Sequence, residues 1–289
     1  MKKPALLICD EKWSTGSIAK DLIALSEASS AWKVSYLDWS KKPENLQEVI
    51  DGYDAVAVFV LRSPSAWPEL RRHGVLCCGF VDIKDVEAGA IEVVNPYIGA
   101  VSGDLYRTLV QQYGVKRLFY TPATVRLSRF TRRPARDTIK VLGWASVPGV
   151  RFKNYELFEE IIRTTELAAK ISYTHYKYDN MQEFYTGVDL LVCTSDHEGG
   201  PLPIFEAIAC GIPVIATSVG MLKDIPLVWK FKTAAEATNL IKLLEDPELK
   251  LSYCAAQYNL LVETLSMEKL FPYWETFFSA CAGAKNADV

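Results

Sequence analysis

Short apolar runs alternate with amphipathic stretches along the whole chain. Runs suited to strands buried on both faces occur at Ala5–Cys9, Val34–Leu37, Ala55–Leu61, Val75–Val81, Ile91–Val94 and Arg117–Tyr120. Helical periodicity lies between them, as at Ser17–Leu25, Pro43–Ile50 and Gly103–Tyr113. A second series of strands runs through Thr138–Leu142, Ile171–Thr174, Leu190–Thr194, Pro213–Ala216 and Leu227–Phe231. Its helices are predicted at Asn154–Ala168, Met181–Thr186, Pro203–Ala209, Ala234–Glu245 and Pro247–Leu265. Repeated βα units predict an α/β chain with two Rossmann-like, doubly wound parallel-sheet domains.

The alternation breaks once. Thr121–Asp137 has two prolines, little apolar content and five arginines, Arg126, Arg129, Arg132, Arg133 and Arg136. We therefore expect a first domain over 1–125, a linker over 126–137 and a second domain over 138–265. Residues 266–289 form a final helix with Phe271, Trp274, Phe277 and Phe278 at helical spacing. That stripe faces a core, of either domain.

Composition narrows the function classes. Over 289 residues the net charge is −3, which argues against a dedicated nucleic-acid coat. No run reaches the roughly eighteen apolar residues of a membrane span. The basic start Met1-Lys2-Lys3 leads into an apolar run that meets Asp10, too short for a secretion signal. The seven cysteines are odd in number, mostly in apolar runs, and lack Cys-x-x-Cys spacing. They read as buried thiols of a cytoplasmic protein, with no metal site.

The chemistry concentrates between two strands. After Asp189–Thr194 come Ser195-Asp196-His197-Glu198-Gly199-Gly200-Pro201-Leu202, a helix through Glu206 and Ala207, and Cys210-Gly211-Ile212-Pro213-Val214. Glu198 and Glu206 bracket the Gly-Gly-Pro turn with seven residues between them. A helix N-terminus offers N–H groups to a phosphate. Carboxylates accept hydrogen bonds from sugar hydroxyls.

This segment resembles the donor signature of retaining nucleotide-sugar glycosyltransferases of the GT-B fold, family 4 in particular. The resemblance implies two domains facing a cleft, with the final helix crossing back to the first. It assigns Glu206 to the ribose hydroxyls of the donor and Glu198 to the transferred sugar. Gly199, Gly200, Pro201 and Leu202 would approach the sugar and diphosphate, with Gly143 and His197 also in the donor site. The family's arginine after the first strand of the second domain is Trp144 here. Lys153 is then the main phosphate candidate and Arg151 its substitute, so the catalytic set is Glu198, Lys153 and Arg151. Trp13, Ser14, Thr15 and Gly16, after the first strand, form an acceptor or phosphate loop.

The implied reaction moves a hexose from a UDP- or GDP-linked donor to an acceptor hydroxyl with retention. No bound cofactor is expected, and no metal, since Asp-x-Asp is absent. The expected acceptor is a glycan or lipid-linked sugar. A modified base in DNA is the alternative that the arginine-rich linker motivates. Two further readings are a non-catalytic sugar-nucleotide-binding module and a sugar-nucleotide epimerase. The first is kept open by Trp144. The second would need acid and base groups around the sugar that the sequence does not display.

Overall fold

The computed structural model describes residues 1–11, 14–59, 78–81, 97–172 and 178–287. Contacts divide the chain into two units, one of Met1–Ala123 with Met267–Val289, the other of Thr124–Ser266.

The first unit is built on a parallel sheet. Its strands are β1 (Lys3–Cys9), β2 (Trp32–Asp38), β3 (Ala55–Val58), β4 (Cys78–Val81), β5 (Tyr97–Ala100) and β6 (Arg117–Tyr120). They lie in the order β2-β1-β3-β4-β5-β6. Leu6 and Ile8 of β1 pack with Val56 and Val58 of β3, all at most 2% exposed. Helices α1 (Ser14–Ser26), α2 (Leu46–Asp51) and α3 (Gly103–Tyr113) connect the strands. Ser102 caps α3 by accepting from the Leu105 N–H at 3.1 Å, and Gly114 ends it at φ 62°.

The second unit has β7 (Val141–Trp144), β8 (Ala168–Ile171), β9 (Leu190–Cys193), β10 (Val214–Ala216) and β11 (Trp229–Lys230). Its sheet is parallel in the order β11-β10-β9-β7-β8. The helices are α4 (Tyr155–Thr165), α5 (Met181–Thr186), α6 (Leu202–Ala209), α7 (Ala234–Leu243) and α8 (Pro247–Leu260). Both sheets thus place their second strand outside the first, and the third on its other side. The winding reverses between first and third strands, and ligands of such sheets bind at the carboxyl ends there. In the second unit that point lies between β7 and β9.

Helix α9 (Met267–Ala287) belongs to the first unit. Its aromatic stripe crosses the sheet. Phe278 meets Trp32 at 5.7 Å, Trp274 meets Phe59 at 5.6 Å, and Phe277 meets Phe119 at 5.8 Å between ring centres. The Trp274 indole donates to the Pro122 carbonyl at 3.2 Å, so this buried polar edge is satisfied.

Several boundaries differ from the sequence reading. Helix α4 stops at Thr165 because Glu166 turns left-handed at φ 56°. The next strand therefore begins at Ala168, three residues before the expected Ile171. Strand β7 extends to Trp144 instead of ending at Leu142. The expected helix through Leu265 changes to a π-helical turn over Leu261–Leu265. Strand β5 has no counterpart in the sequence reading. The expected Ile91–Val94 strand, the start of Val75–Val81 and the end of Ala55–Leu61 lie outside the described residues.

The stretch read as a linker is docked on the second unit. Arg136 donates to Asp189 Oδ1 and to the Thr186 carbonyl, each at 2.8 Å. Arg133 donates to the Val188 carbonyl, and Arg132 stacks on the Tyr258 ring at 3.8 Å. A Cβ on Gly211 would lie 2.3 Å from the Arg133 carbonyl, so this glycine admits the segment.

Candidate functional site

The carboxyl end of β7 continues through a short 3₁₀ turn, Arg151–Lys153, into α4. Asn154 makes this entry at φ 50° and caps α4 by accepting from the Leu157 N–H at 3.2 Å. The neighbouring strand β9 runs into Thr194–Gly200. Three bonds tie the two loops together. Thr194 Oγ1 donates to the Lys153 carbonyl at 2.9 Å, the Asp196 N–H to the Phe152 carbonyl at 2.8 Å, and Asn154 Nδ2 to Asp196 Oδ1 at 3.0 Å.

These bonds bring Lys153 and Glu198 into an ion pair. The same Glu198 oxygen accepts from Ser195 Oγ at 2.7 Å. Lys153, Glu198 and Ser195 line an open hollow together with Trp144, Ser146 and Pro201. Burial, with the Glu198 charge added, pushes the Cys193 thiol up, so it stays protonated below this loop.

A second loop braces the first. The Thr217 hydroxyl donates to the Ser195 carbonyl at 2.5 Å, and the Met221 N–H to the Gly199 carbonyl at 3.0 Å. Gly220 sits at φ 47°, where an added Cβ would fall 1.8 Å from the Glu198 carbonyl oxygen. Only a bare backbone fits there.

Glu206 lies one helix turn inside α6, 4% exposed. Tyr185 of α5 donates to its Oε2 at 2.8 Å, and Arg129 reaches its Oε1 at 3.5 Å. Arg129 also donates to the Tyr178 carbonyl at 3.1 Å and stacks on the Tyr178 ring at 3.7 Å. Burial first, then the Glu206 charge and hydrogen bond, holds the Tyr185 phenol well above its ordinary pKa. Tyr185 is therefore a neutral donor. A carboxylate offers about four acceptor positions, so protein donors leave it able to take hydroxyls as well.

The other candidates fall as follows. Pro201 precedes α6, which starts without a side-chain cap; Leu202 is its first residue and is buried. Gly199 and Gly200 are half-buried in the turn. His197 and Arg151 are exposed beside it. Gly143 lies within β7, where an added Cβ would meet the Val188 side chain at 2.5 Å. Its packing explains the glycine, and the donor role assigned to it gains nothing from this placement. Trp144 is a core residue, 2% exposed, stacked on Phe158 at 5.9 Å and donating from Nε1 to Thr194 Oγ1 at 2.9 Å.

In the first unit, Ser14, Thr15 and Gly16 open α1, and Trp13 lies outside the described residues. Thr15 donates to the Asp10 carbonyl at 3.1 Å. Gly16 is buried 2.5 Å, measured from its absent Cβ, from the Glu11 carbonyl. Asp10 and Glu11 flank this loop, with Lys20 and Lys41 within 3.6 Å of Glu11. Hydrogen bonds from Tyr36 and Lys41 hold the Glu11 carboxyl below its usual range. Carboxylates there suit sugar hydroxyls better than a phosphate.

Sequence reasoning missed Tyr185, Arg129, Ser195 and Gly220. Ser195 stands within the motif and Gly220 follows a strand, which are weak signals. Tyr185 and Arg129 carry none, since their partner is 21 and 77 positions away.

Comparison with known proteins bears on this unit first. Residues 149–253 match the model of Glycosyl transferases group 1. N-acetyl-alpha-D-glucosaminyl L-malate synthase of Bacillus anthracis is 30% identical over 121 residues, 39% of this chain and 32% of that protein. The match thus spans about a third of that curated relative's length. Sucrose-phosphate synthase from Thermosynechococcus elongatus superposes with a TM-score of 0.70 at 13% identity, covering 98% of this chain and 100% of the other. TarM of S. aureus, in a complex with UDP, has a TM-score of 0.63 at 15% identity over 81% of this chain and 57% of its own. The match to Glycosyl transferases group 1 thus lies within the second unit, and the chain shares its two-domain α/β fold, GT-B, with these structures.

Proposed function

We propose that the chain transfers a hexose from a UDP- or GDP-linked donor to a hydroxyl of a glycan or lipid-linked sugar, with retention at the anomeric carbon. The observation that carries this reading is the Lys153–Glu198–Ser195 cluster at the sheet's switch point, inside the segment that matches the transferase family. Lys153 would leave Glu198 for the diphosphate and stabilise the charge that grows as the glycosidic bond breaks. Glu198, still held by Ser195, would orient the sugar hydroxyls. Glu206, fixed by Tyr185 and Arg129, would accept from the ribose. Retention follows if the acceptor attacks from the leaving group's face and the departing phosphate takes its proton. Such a step needs no protein nucleophile. TarM was solved with UDP, which supports a uridine donor here.

The sequence has no Asp-x-Asp, so fixed cations and the α6 N-terminus are proposed to do the work of a metal. The five described cysteines that are free thiols suit a reducing cytoplasm. The linker arginines that motivated a DNA acceptor pack on protein groups here, which favours a glycan or lipid-linked acceptor. The test is incubation with UDP- and GDP-hexoses, with and without EDTA, following sugar release and its anomeric configuration by NMR. Release of the donor's own anomer, unaffected by EDTA, is expected. No turnover of any donor would favour a binding module, and an inverted product would overturn the mechanism.

A further inference from the structure

Glu206 meets a cation from outside its own helix. The side chains of Glu206 and Arg129 are both 5% exposed. A carboxylate so buried is costly unless a positive charge compensates it. Arg129 is anchored independently of that carboxylate. Its guanidinium stacks on the Tyr178 ring at 3.7 Å and on the Phe130 ring at 4.8 Å. It donates to the Tyr178 carbonyl at 3.1 Å. The backbone beside it is held too, since the Thr131 N–H donates to Gln182 Oε1 at 2.8 Å. Its approach to Glu206 Oε1 is longer, 3.5 Å, so it supplies charge more than a hydrogen bond. Two other titratable groups face Glu206, and both are neutral. Tyr185 of α5 donates to Oε2. Burial, then the Glu206 charge, pushes the Cys210 thiol at the end of α6 up to about 12.

We infer that Arg129 is a positioning residue for donor binding, which keeps Glu206 ionised as an acceptor-only carboxylate for the two vicinal ribose hydroxyls. This role rests on the ribose reading of Glu206 proposed above. Without the cation, burial favours the protonated acid. A protonated carboxyl turns one oxygen into a donor and gives up charge-assisted bonds to the sugar. Arg129 thus acts through Glu206, without touching the nucleotide. Its anchoring to Tyr178 and Phe130 makes the charge a fixed part of the second unit, present before any ligand arrives. Methionine in its place keeps an unbranched apolar stem and removes the charge, which separates this role from packing.

The experiment is calorimetric titration of the full chain with UDP and GDP from about pH 5.5 to about pH 8.5, wild type against Arg129→Met. The ratio of variant to wild-type Kd cancels the titration of the nucleotide's own phosphate. That ratio should widen as pH falls, by about tenfold across the range, the difference between charge-assisted and neutral bonds. The 2′-deoxy form of the nucleotide that binds lacks one of the two hydroxyls and should show a smaller change. Arg129→Lys keeps the charge and should hold the ratio flat. Unfolding gives a readout without nucleotide. The folded Arg129→Met chain keeps a proton on Glu206 that the unfolded chain has lost, so its stability relative to wild type should fall as pH rises through this range. Adding Glu206→Gln should remove that slope. A ratio independent of pH, an equal change with the deoxy nucleotide, or a pH-dependent ratio in Arg129→Lys would overturn the inference and leave the donor reading standing. The lysine variant alone decides if the methionine variant does not fold. Wild type that binds neither UDP nor GDP would overturn the donor reading and this role with it.

Discussion

Replacing Tyr185 by Phe isolates one bond at the centre of the proposed nucleotide site. The ring is fully buried and meets Phe184 at 5.0 Å and Phe130 at 6.1 Å between centres. Phe keeps these contacts, so the loss is the hydroxyl, which donates to Glu206 Oε2 at 2.8 Å and lies 3.3 Å from the Pro203 carbonyl. A hydrogen bond to a charged partner is worth roughly 1.5–3 kcal/mol. Arg129 reaches the other oxygen, Oε1, at 3.5 Å and leaves Oε2 to Tyr185. We expect a loss of about 2 kcal/mol in the second unit's unfolding, measured by denaturant titration. The loss should be the same throughout neutral pH, because the raised phenol pKa keeps Tyr185 protonated. In a Glu206→Gln background the acceptor is neutral, and Tyr185→Phe should cost about 1 kcal/mol less. Calorimetry with UDP and GDP should also show weaker binding by Tyr185→Phe. A double-mutant cycle additive within about 0.5 kcal/mol would refute the Tyr185–Glu206 bond as the source of the energy.

Lys153→Ala should lower sugar transfer about 10²–10³-fold at nearly unchanged thermal stability. A change under about threefold, with Arg151→Ala severe, would move the phosphate role to Arg151. Gly220→Ala must push the Glu198–Gly199 loop away, since its Cβ would be 1.8 Å from the Glu198 carbonyl at φ 47°. Transfer should collapse while the fold persists by circular dichroism, and wild-type turnover would count against this bracing. Burial pushes the Lys230 amine down from 10.5 to about 8. Between those pH values the unfolded chain holds a proton that the folded chain has lost, so stability should rise with pH there. Lys230→Met should abolish that rise, and identical pH slopes for the two proteins would contradict the assignment.

How much was legible in the sequence differs by element. Strands β1 and β9 read directly from apolar runs, because burial on both faces demands them. The turn from Ser195 to Leu202 stood out because carboxylates and glycines there serve no packing need. Helix ends were less legible. Glu166 ends α4 in a left-handed conformation that a residue with a Cβ seldom adopts, so the next strand was misplaced. The arginines of 126–137 looked like a solvated linker, because charge and proline content say nothing of which carbonyls lie within reach.

By itself the sequence determined the α/β class, the two series of βα units and the loop and helix that hold Glu198 and Glu206. These follow from local periodicity and from residue types whose chemistry is legible one turn at a time. Tertiary structure alone decided that Lys153 pairs with Glu198 across 45 positions, that Tyr185 and Arg129 hold Glu206, and that Trp144 belongs to the core. It also fixed which rings α9 meets on the first sheet, a placement the resemblance had implied. Each of these is a meeting of residues far apart in the chain. Periodicity states which face of an element is buried, but the partner on the other side is selected only when strand order brings the two loops to one edge.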